Sequence, residues 1–265
     1  MSRFLPVDLA HASRLINHGP TVLVTSAHGE RRNIMAAAWS MPVEFTPPRV
    51  AVVIDKQTFT RELASASGVF GLCVPGAALM DLTYAVGSVS GRDGDKFARF
   101  GIEAARGPVL GVPVLEAGCA AWLECRLIPE RHAEDAYDTC FAEVVSAAAD
   151  TRIFANGHWS VREDNATLHT LHHLGAGNFV VAGSMRQAHA PAWCRDDTPA
   201  GGACQPAGAP CLTRPPNRPA RPAAYRGRPR VPRSPGPCWP AATGTAGAAV
   251  ARCWPCGPRA RCHRR

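Results

Sequence analysis

One short segment, SGRDGDKF at residues 90–97, is dense in side chains that could do chemistry. Arg92 and Lys96 supply cationic hydrogen-bond donors, and the acidic residues beside them can orient them. Two glycines allow backbone angles that other residues avoid. Such a loop could face an anion or a cofactor, but a solvated loop with local ion pairs has the same composition. These residues alone leave both interpretations open.

Three histidines, His169, His172 and His173, stand close together in LHTLHHLG. If this segment were a helix, His169 and one of the others would share a face, which is the spacing of a metal-binding pair. No acidic residue lies within the cluster, and the H-E-x-x-H pattern of zinc enzymes is missing. We therefore expect no metal site here. We expect a structural or substrate-facing role instead, with His172 and His173 as the candidate catalytic side chains.

Common enzyme motifs are missing from the sequence. No G-x-G-x-x-G follows a strand, and neither a G-x-x-x-x-G-K-[ST] nor a G-x-S-x-G motif occurs. A dinucleotide fold of the Rossmann type, a P-loop ATPase and a serine hydrolase are therefore not expected.

A run of three alanines, Ala36, Ala37 and Ala38, lies between two segments of strong strand propensity. Small side chains cover little neighbouring surface in a sheet, so alanines are poor strand residues. The run is either a short helix or a strand whose backbone something approaches closely.

The elements that must position these residues follow from the hydrophobic pattern. Residues 8–18 predict a short helix capped by Asp8, and residues 79–90 predict a further helix. Between them, residues 58–67 predict a helix with Thr58 or Thr60 as its cap, which Gly68 ends. Strands are predicted at residues 21–27, 34–43, 49–55, 69–75, 119–132 with a bulge or turn near Pro129, 139–150, and a neighbouring segment at 152–160. Because strands dominate and no regular alternation with helices occurs, the pattern favours a mainly β fold, a closed or half-closed barrel with short helices.

In order along the chain, the segments NIMAAAWS, KQTFTREL, SGRDGDKF and LEC resemble the flavin reductase-like family of FMN-binding split barrels, which includes flavoredoxin-type proteins. The resemblance spans roughly residues 10–185. It implies a six-stranded antiparallel split barrel that forms a homodimer and holds FMN without a covalent bond. FAD remains an alternative cofactor, and NAD(P)H is the implied co-substrate.

By family position, the cofactor-binding residues are Asn33, Ile34, Met35, Ala36, Ala37, Ala38, Trp39, Lys56, Thr58, Thr60, Ser90, Gly91, Asp95, Lys96 and Phe97. The resemblance places the alanine segment along the flavin ring and ribityl chain, and Lys56, Thr58 and Thr60 near the phosphate. The small side chains of the alanines would leave room for the flavin. Replacing Ala37 with leucine is therefore expected to abolish FMN binding and to spare the fold.

The resemblance implies an oxidoreductase that reduces a flavin, or a small substrate through bound FMN, at the expense of NAD(P)H. A flavin-binding electron carrier without enzymatic activity is the alternative. The small component of a two-component monooxygenase, with that enzyme as its partner, also fits the family.

A change in composition divides the chain near residue 190. Residues 191–265 hold 13 arginines, no lysine, two acidic residues and 15 of the 24 prolines. We expect a flavin-binding domain over residues 1–188 and a disordered Arg/Pro/Ala-rich tail over residues 189–265. Its amino-acid composition is the one obtained when GC-rich DNA is translated in the wrong reading frame, so the tail is interpreted as the product of a frameshift. A genuine basic arm that binds nucleic acid is the alternative, which we rank behind the flavin functions.

The four cysteines before residue 190 lie far apart in apolar segments, which indicates buried free thiols. No apolar run is long enough to cross a membrane, and the first residues lack the apolar core of a signal peptide. A cytoplasmic protein without a membrane partner is therefore the expectation.

Overall fold

The computed structural model describes residues 3–189. Its strands are β1 (Phe4–Pro6), β2 (Val22–His28), β3 (Arg31–Ala37), β4 (Ser40–Phe45), β5 (Pro48–Val53), β6 (Val69–Pro75), β7 (Ala105–Arg106), β8 (Pro113–Val114), β9 (Cys119–Ile128), β10 (Thr139–Asp150), β11 (Phe154–Ala155), β12 (His158–Trp159), β13 (Leu171–Gly175) and β14 (Asn178–Val181). Its α-helices are α1 (Phe59–Ser67), α2 (Met80–Ser88), α3 (Lys96–Arg99) and α4 (Arg131–Tyr137). Four 3₁₀ helices span Leu9–Leu15, Ala77–Leu79, Gly91–Asp93 and Glu163–Leu168.

The main sheet runs in the order β3-β2-β6-β9-β10-β5-β4, and β1 pairs with β10. All of these pairs are antiparallel. The two strands that end this path, β3 and β4, are consecutive in the chain, with only Ala38 and Trp39 between them. Because two residues join the opposite ends of the path, the sheet must curl round on itself. The predicted mainly β, half-closed barrel is thereby confirmed.

The sheet has eight strands where the family resemblance implies six. One additional strand is the short β1, and the other arises because the predicted strand over residues 34–43 breaks at Ala38 and Trp39 into β3 and β4. No helix forms at the alanine run, which excludes the short-helix interpretation.

Two clusters of buried apolar side chains lie on the two faces of the sheet. On β2, Val22 and Val24 belong to the first cluster and Leu23 to the second. Successive side chains of a strand point to opposite faces, so a strand buried on both faces consists of consecutive apolar residues. The second cluster includes Val86 of α2 and Phe97 of α3, so these helices cover one face of the sheet.

The predicted limits of α1 are confirmed. Thr58 is the N-cap, and its side chain accepts a hydrogen bond from the Arg61 amide. Gly68 ends the helix in the left-handed conformation, with φ of 74°. The helix therefore starts at a fixed point beside β3.

The histidine segment differs from the helix considered above, because His172 and His173 lie on strand β13. The β13–β14 hairpin is attached to the start of β2, where the Thr21 amide donates to the Leu171 carbonyl at 2.7 Å. The predicted disordered tail over residues 189–265 lies, except for His189, outside the described part of the chain. Within residues 3–189, no helix is long and apolar enough to cross a membrane.

Candidate functional site

Two cavities, of about 250 and 170 Å³, lie between β3 and α2 and share Ala36 and Gly87 in their walls. We call the pair the β3–α2 groove. One end is lined by Asn33, Met35, Gln57, Thr58, Phe59, Thr60, Val86, Val89, Ser90, Gly91 and Lys96. The other end is lined by Thr21, Ala38, Thr83, Tyr84, Ser88, His173 and Phe179. We name these the α1 end and the His173 end.

Strand β3 presents a free backbone edge to this groove. The two-residue turn between β2 and β3 makes His28 and Arg31 a hydrogen-bonded pair of facing residues. Along an antiparallel pair of strands, hydrogen-bonded and non-hydrogen-bonded pairs alternate, so the pairs that contain Ile34 and Ala36 are not hydrogen-bonded to β2. The amides and carbonyls of Ile34 and Ala36 accordingly point away from β2. The ammonium of Lys96 donates to the Ile34 carbonyl at 2.9 Å, as this pattern requires. The backbone of Ala36 faces the groove, where a ligand can bond to it.

The three alanines do not share one environment. Ala36 and Ala38 line the groove, whereas Ala37 is 7% exposed and belongs to the core cluster on the other face of the sheet. This alternation is the ordinary pattern of a strand. The assignment of Ala37 as a flavin-lining residue is therefore corrected: its small side chain fits the core of the barrel.

Gly87 provides the space on the opposite wall of the groove. A Cβ atom at this position would lie 3.3 Å from the Ala36 Cβ, which is tighter than ordinary contact. Glycine within a helix costs about 1 kcal/mol relative to alanine. The close approach of α2 to β3 explains why glycine occurs here.

The α1 end of the groove has the features of an anion site. The first amides of a helix have no partner within the helix and carry its positive dipole end. The Thr58 side chain satisfies the Arg61 amide, which leaves the amides of Phe59 and Thr60 at the mouth of the cavity. Ser90 lines the same cavity from the SGRDGDKF loop. A phosphate is the anion that such a helix terminus commonly holds.

Asn33 lies beside this end with one polar atom unsatisfied. Its Nδ2 donates to the Thr60 hydroxyl at 2.9 Å, while its buried Oδ1 has no hydrogen-bond partner in the described part of the chain. A Cβ atom at residue 91 would come 2.1 Å from this Oδ1, so only glycine fits at Gly91. A buried acceptor without a donor costs about 1–3 kcal/mol, which a donating ligand hydroxyl would remove.

Lys96 connects β3 to α2. It is 3% exposed, and its ammonium donates to the carbonyls of Ile34 at 2.9 Å and Val86 at 2.6 Å. Burial lowers the pKa of Lys96 to about 8, because desolvation penalises the charged form. Two of its three N–H groups hold the walls of the groove together, and the side chain itself lines the α1 end.

Other residues expected at the cofactor position support the site without lining it. Asp95 caps α3 by accepting from the Phe97 amide at 2.8 Å, and it pairs with Arg32 at 3.0 Å. Phe97 and Ile34 are buried in the core cluster beneath α2.

Two further expected residues lie elsewhere. The Lys56 ammonium donates to the Asp135 carbonyl at 2.6 Å and lies 3.4 Å from the Asp138 carboxylate, and Lys56 does not line the groove. Trp39 is 74% exposed at the break between β3 and β4.

The histidines separate because neighbouring residues of β13 face opposite ways. His173 lines the groove and contacts the ring of Phe179, with centroids 5.0 Å apart. His172 faces His18 on the other side and bonds to the Gly19 carbonyl. Within residues 3–189, no group of three or more His, Cys, Asp or Glu side chains is arranged to hold a metal ion.

Sequence reasoning did not identify several groove residues, namely Thr21, Tyr84, Gly87 and Phe179. Gly87 could have been identified from the sequence, because a glycine inside a predicted helix indicates that another element packs closely against it. Thr21 and Phe179 lie at the groove because the β13–β14 hairpin pairs with the start of β2, and these segments are too far apart in the sequence for a local pattern to predict the contact.

The Flavin reductase like domain family matches residues 14–170. The chain is 62% identical over 185 residues to the uncharacterized protein YddH of Escherichia coli K12, an alignment that covers 69% of this chain and 97% of YddH. A crystal structure of an FMN-binding domain of flavin reductases-like enzyme from Shewanella baltica is similar at 42% identity and a TM-score of 0.67, covering 70% of this chain and 97% of that chain. Flavoredoxin of Desulfovibrio vulgaris shares the fold at 22% identity and a TM-score of 0.57, covering 66% and 92%.

Proposed function

This chain belongs to the flavin reductase like domain family, and from that premise we propose that it binds FMN in the β3–α2 groove and uses it for NAD(P)H-dependent reduction. The acceptor of the electrons is a free flavin or a small substrate. The observation that carries the proposal is the combination, in one groove, of a free strand edge at Ala36 and a helix N-terminus at Thr58.

The residues of the groove fit the parts of FMN. The amides of Phe59 and Thr60 and the hydroxyl of Ser90 would hold the phosphate. The unsatisfied Oδ1 of Asn33 would accept a hydrogen bond from a ribityl hydroxyl. The outward backbone groups of Ala36 would bond to the polar edge of the ring, which the small side chains on this wall leave accessible.

When bound, FMN supplies the redox chemistry, accepting a hydride from a nicotinamide and passing electrons on. The protein contributes position and the exclusion of water. Tyr84, His173 and Phe179 line the end of the groove where the ring would lie, and they limit the space beside it. Of these, Tyr84 and His173 are the side chains that can donate a hydrogen bond to a substrate at the ring.

Mixing FMN-loaded protein with NADH or NADPH without oxygen tests this function. We expect the visible absorbance of the flavin to disappear after mixing, because the nucleotide reduces the bound FMN. Protein that binds FMN but keeps its spectrum with both nucleotides would be an electron carrier instead of a reductase, and the enzymatic part of the proposal would be wrong.

We also propose that the chain acts as a homodimer. Four large apolar side chains are exposed from the β3–β4 break along β4, namely Trp39, Met41, Val43 and Phe45, which are 74, 58, 41 and 59% exposed. We call this segment the stripe on β4; it includes both faces of the strand, because the pairing with β5 shifts between Pro42 and Glu44. An apolar edge strand that remains open promotes association. A second copy is the proposed occupant because the stripe begins beside Ala38, so the copy that covers it would also cover the open side of the groove.

A further inference from the structure

A third cavity, of about 490 Å³, adjoins the α1 end of the groove. It shares Phe59 and Gly91 with the groove, so the two spaces meet at the position proposed for the phosphate. Its walls contain three arginines, Arg31, Arg32 and Arg92. We call this space the arginine cavity. FMN in the groove would leave it unfilled.

The three guanidinium groups are held in place by rings and carboxylates. Arg31 and Arg92 lie over the Phe59 ring, at 5.3 and 5.5 Å from its centroid, and both pair with Glu62. Arg32 lies over the Phe97 ring at 4.5 Å and pairs with Asp95. A guanidinium has five N–H donors, so each retains donors for a further anion. Their side chains are 42 to 60% exposed and are therefore accessible.

Arg92 also connects the cavity to the start of α1. It donates to the Gln57 carbonyl at 3.2 Å, just before the helix N-cap. A phosphate bound to the α1 amides would therefore have Arg92 on its outer side. A second phosphate linked to the first would reach the arginines directly.

The geometry points to a binding site for the adenylate half of a dinucleotide, and we propose that the arginine cavity binds it. Arginine binds phosphate oxygens through two parallel hydrogen bonds, and its planar group stacks on aromatic bases. The volume lies within the range of small-molecule sites, roughly 300–1,000 Å³. The carboxylates of Glu30, Glu62 and Asp95 balance the three arginines. Recognition therefore depends on bidentate hydrogen bonds and stacking more than on net charge.

This inference rests on the proposed function, because it uses the phosphate position at α1. Two ligands carry the same adenylate group: FAD, whose flavin half would occupy the groove, and the nicotinamide dinucleotide. The test measures dissociation constants of FMN and FAD by flavin fluorescence. It also measures the dissociation constant of NAD⁺ on FMN-loaded protein by calorimetry.

The test variant is the double substitution Arg31→Gln with Arg32→Gln, which leaves Arg92 in place beside the proposed phosphate position, and Arg126→Gln on the exposed side of β9 is the matched control. We expect the double variant to weaken the adenylate-bearing ligand about tenfold and to change FMN affinity less than about threefold. A selective loss of FAD affinity identifies the flavin dinucleotide as the source. A selective loss of NAD⁺ affinity identifies the nicotinamide dinucleotide.

Unchanged affinities for both dinucleotides would overturn the inference and leave the proposed function intact. An equal loss for FMN and FAD would also overturn it, because the arginines would then act on the shared phosphate or on the fold. Wild-type protein that binds no flavin at all would instead contradict the proposed function.

Discussion

Ala36 and Ala37 are neighbours on β3 whose side chains have opposite environments, the groove and the barrel core. Replacing Ala36 with leucine should fill the groove and weaken FMN binding by about a hundredfold or more, with stability changed by less than about 1 kcal/mol. Replacing Ala37 with leucine should overpack the core and cost about 1–3 kcal/mol, with a smaller effect on FMN.

Fluorescence titration with FMN and urea unfolding of both variants check this pair. Retained FMN affinity in Ala36→Leu would place the flavin elsewhere. The pair also reverses the expectation that the sequence alone suggested for Ala37, since the alternation of side chains could be assigned only once the strand limits were known.

His18 should make stability dependent on pH. Burial is the main cause that lowers its pKa from 6.5 to about 4, and His172 adds to the effect. Its other neighbours are the Trp159 ring and the Thr170 hydroxyl. Between pH 4 and 6.5 the unfolded chain binds more protons at this residue, so its contribution to the free energy of unfolding decreases as pH falls through this window.

Urea unfolding at several pH values, on wild type and His18→Gln, measures the effect. The wild type should lose more stability than the variant between pH 6.5 and 4. Parallel losses in the two proteins would show that His18 is not the residue responsible.

At the scale of elements, Glu124 links strand β9 to the loop before β8. Its carboxylate is fully buried and accepts from the amides of Val109, Leu110 and Gly111 at 2.9, 2.7 and 3.1 Å. Glu124→Gln should cost about 1–3 kcal/mol, because the amide loses the charge and adds a donor opposite other donors.

Chemical denaturation measures this loss, with Glu103→Gln on an exposed position as the control. A stability unchanged within about 0.5 kcal/mol would mean that the loop does not depend on the buried carboxylate.

The sequence predicts elements well where the signal is local. Thr58 and Gly68 fix both ends of α1, and their capping chemistry can be identified from residue type. The break at Ala38 and Trp39 was not predictable, because it depends on how β3 and β4 pair with different strands. Lys96 is the same kind of case: the composition of its loop fits a solvated or a cofactor-facing cation equally well, and only the approach of α2 to β3 shows that it is buried.

For the whole molecule, the exposed stripe on β4 predicts association. Met41→Lys should shift the protein from dimer to monomer, because a buried lysine charge at the interface would be desolvated. It should also weaken FMN binding by leaving the groove open. Sedimentation velocity and FMN titration measure both effects, and Val109→Lys, at an equally exposed apolar residue, is the control.

A wild-type chain that is monomeric at all concentrations would contradict the dimer. Unchanged FMN affinity in a monomeric Met41→Lys variant would show that the second copy does not complete the groove.

The family and the curled sheet could be predicted because the family's motifs follow one another in order along the chain, and the family match over residues 14–170 confirms the family. The position of each side chain around the groove could not, since Thr21, Gly87 and His173 come together from three distant segments. The division of the chain near residue 190 stays a prediction. The alignment with YddH agrees with it, because it covers 97% of that protein and only 69% of this chain.

Fluorescence titration of the purified wild-type chain with FMN tests the central claim most directly. If the β3–α2 groove is a flavin site, FMN fluorescence should change saturably and reach one FMN per chain, and the loaded protein should have a higher melting temperature. The account would be contradicted if FMN remained unbound at protein concentrations far above the usual dissociation constant of a bound cofactor, and if the melting temperature did not change.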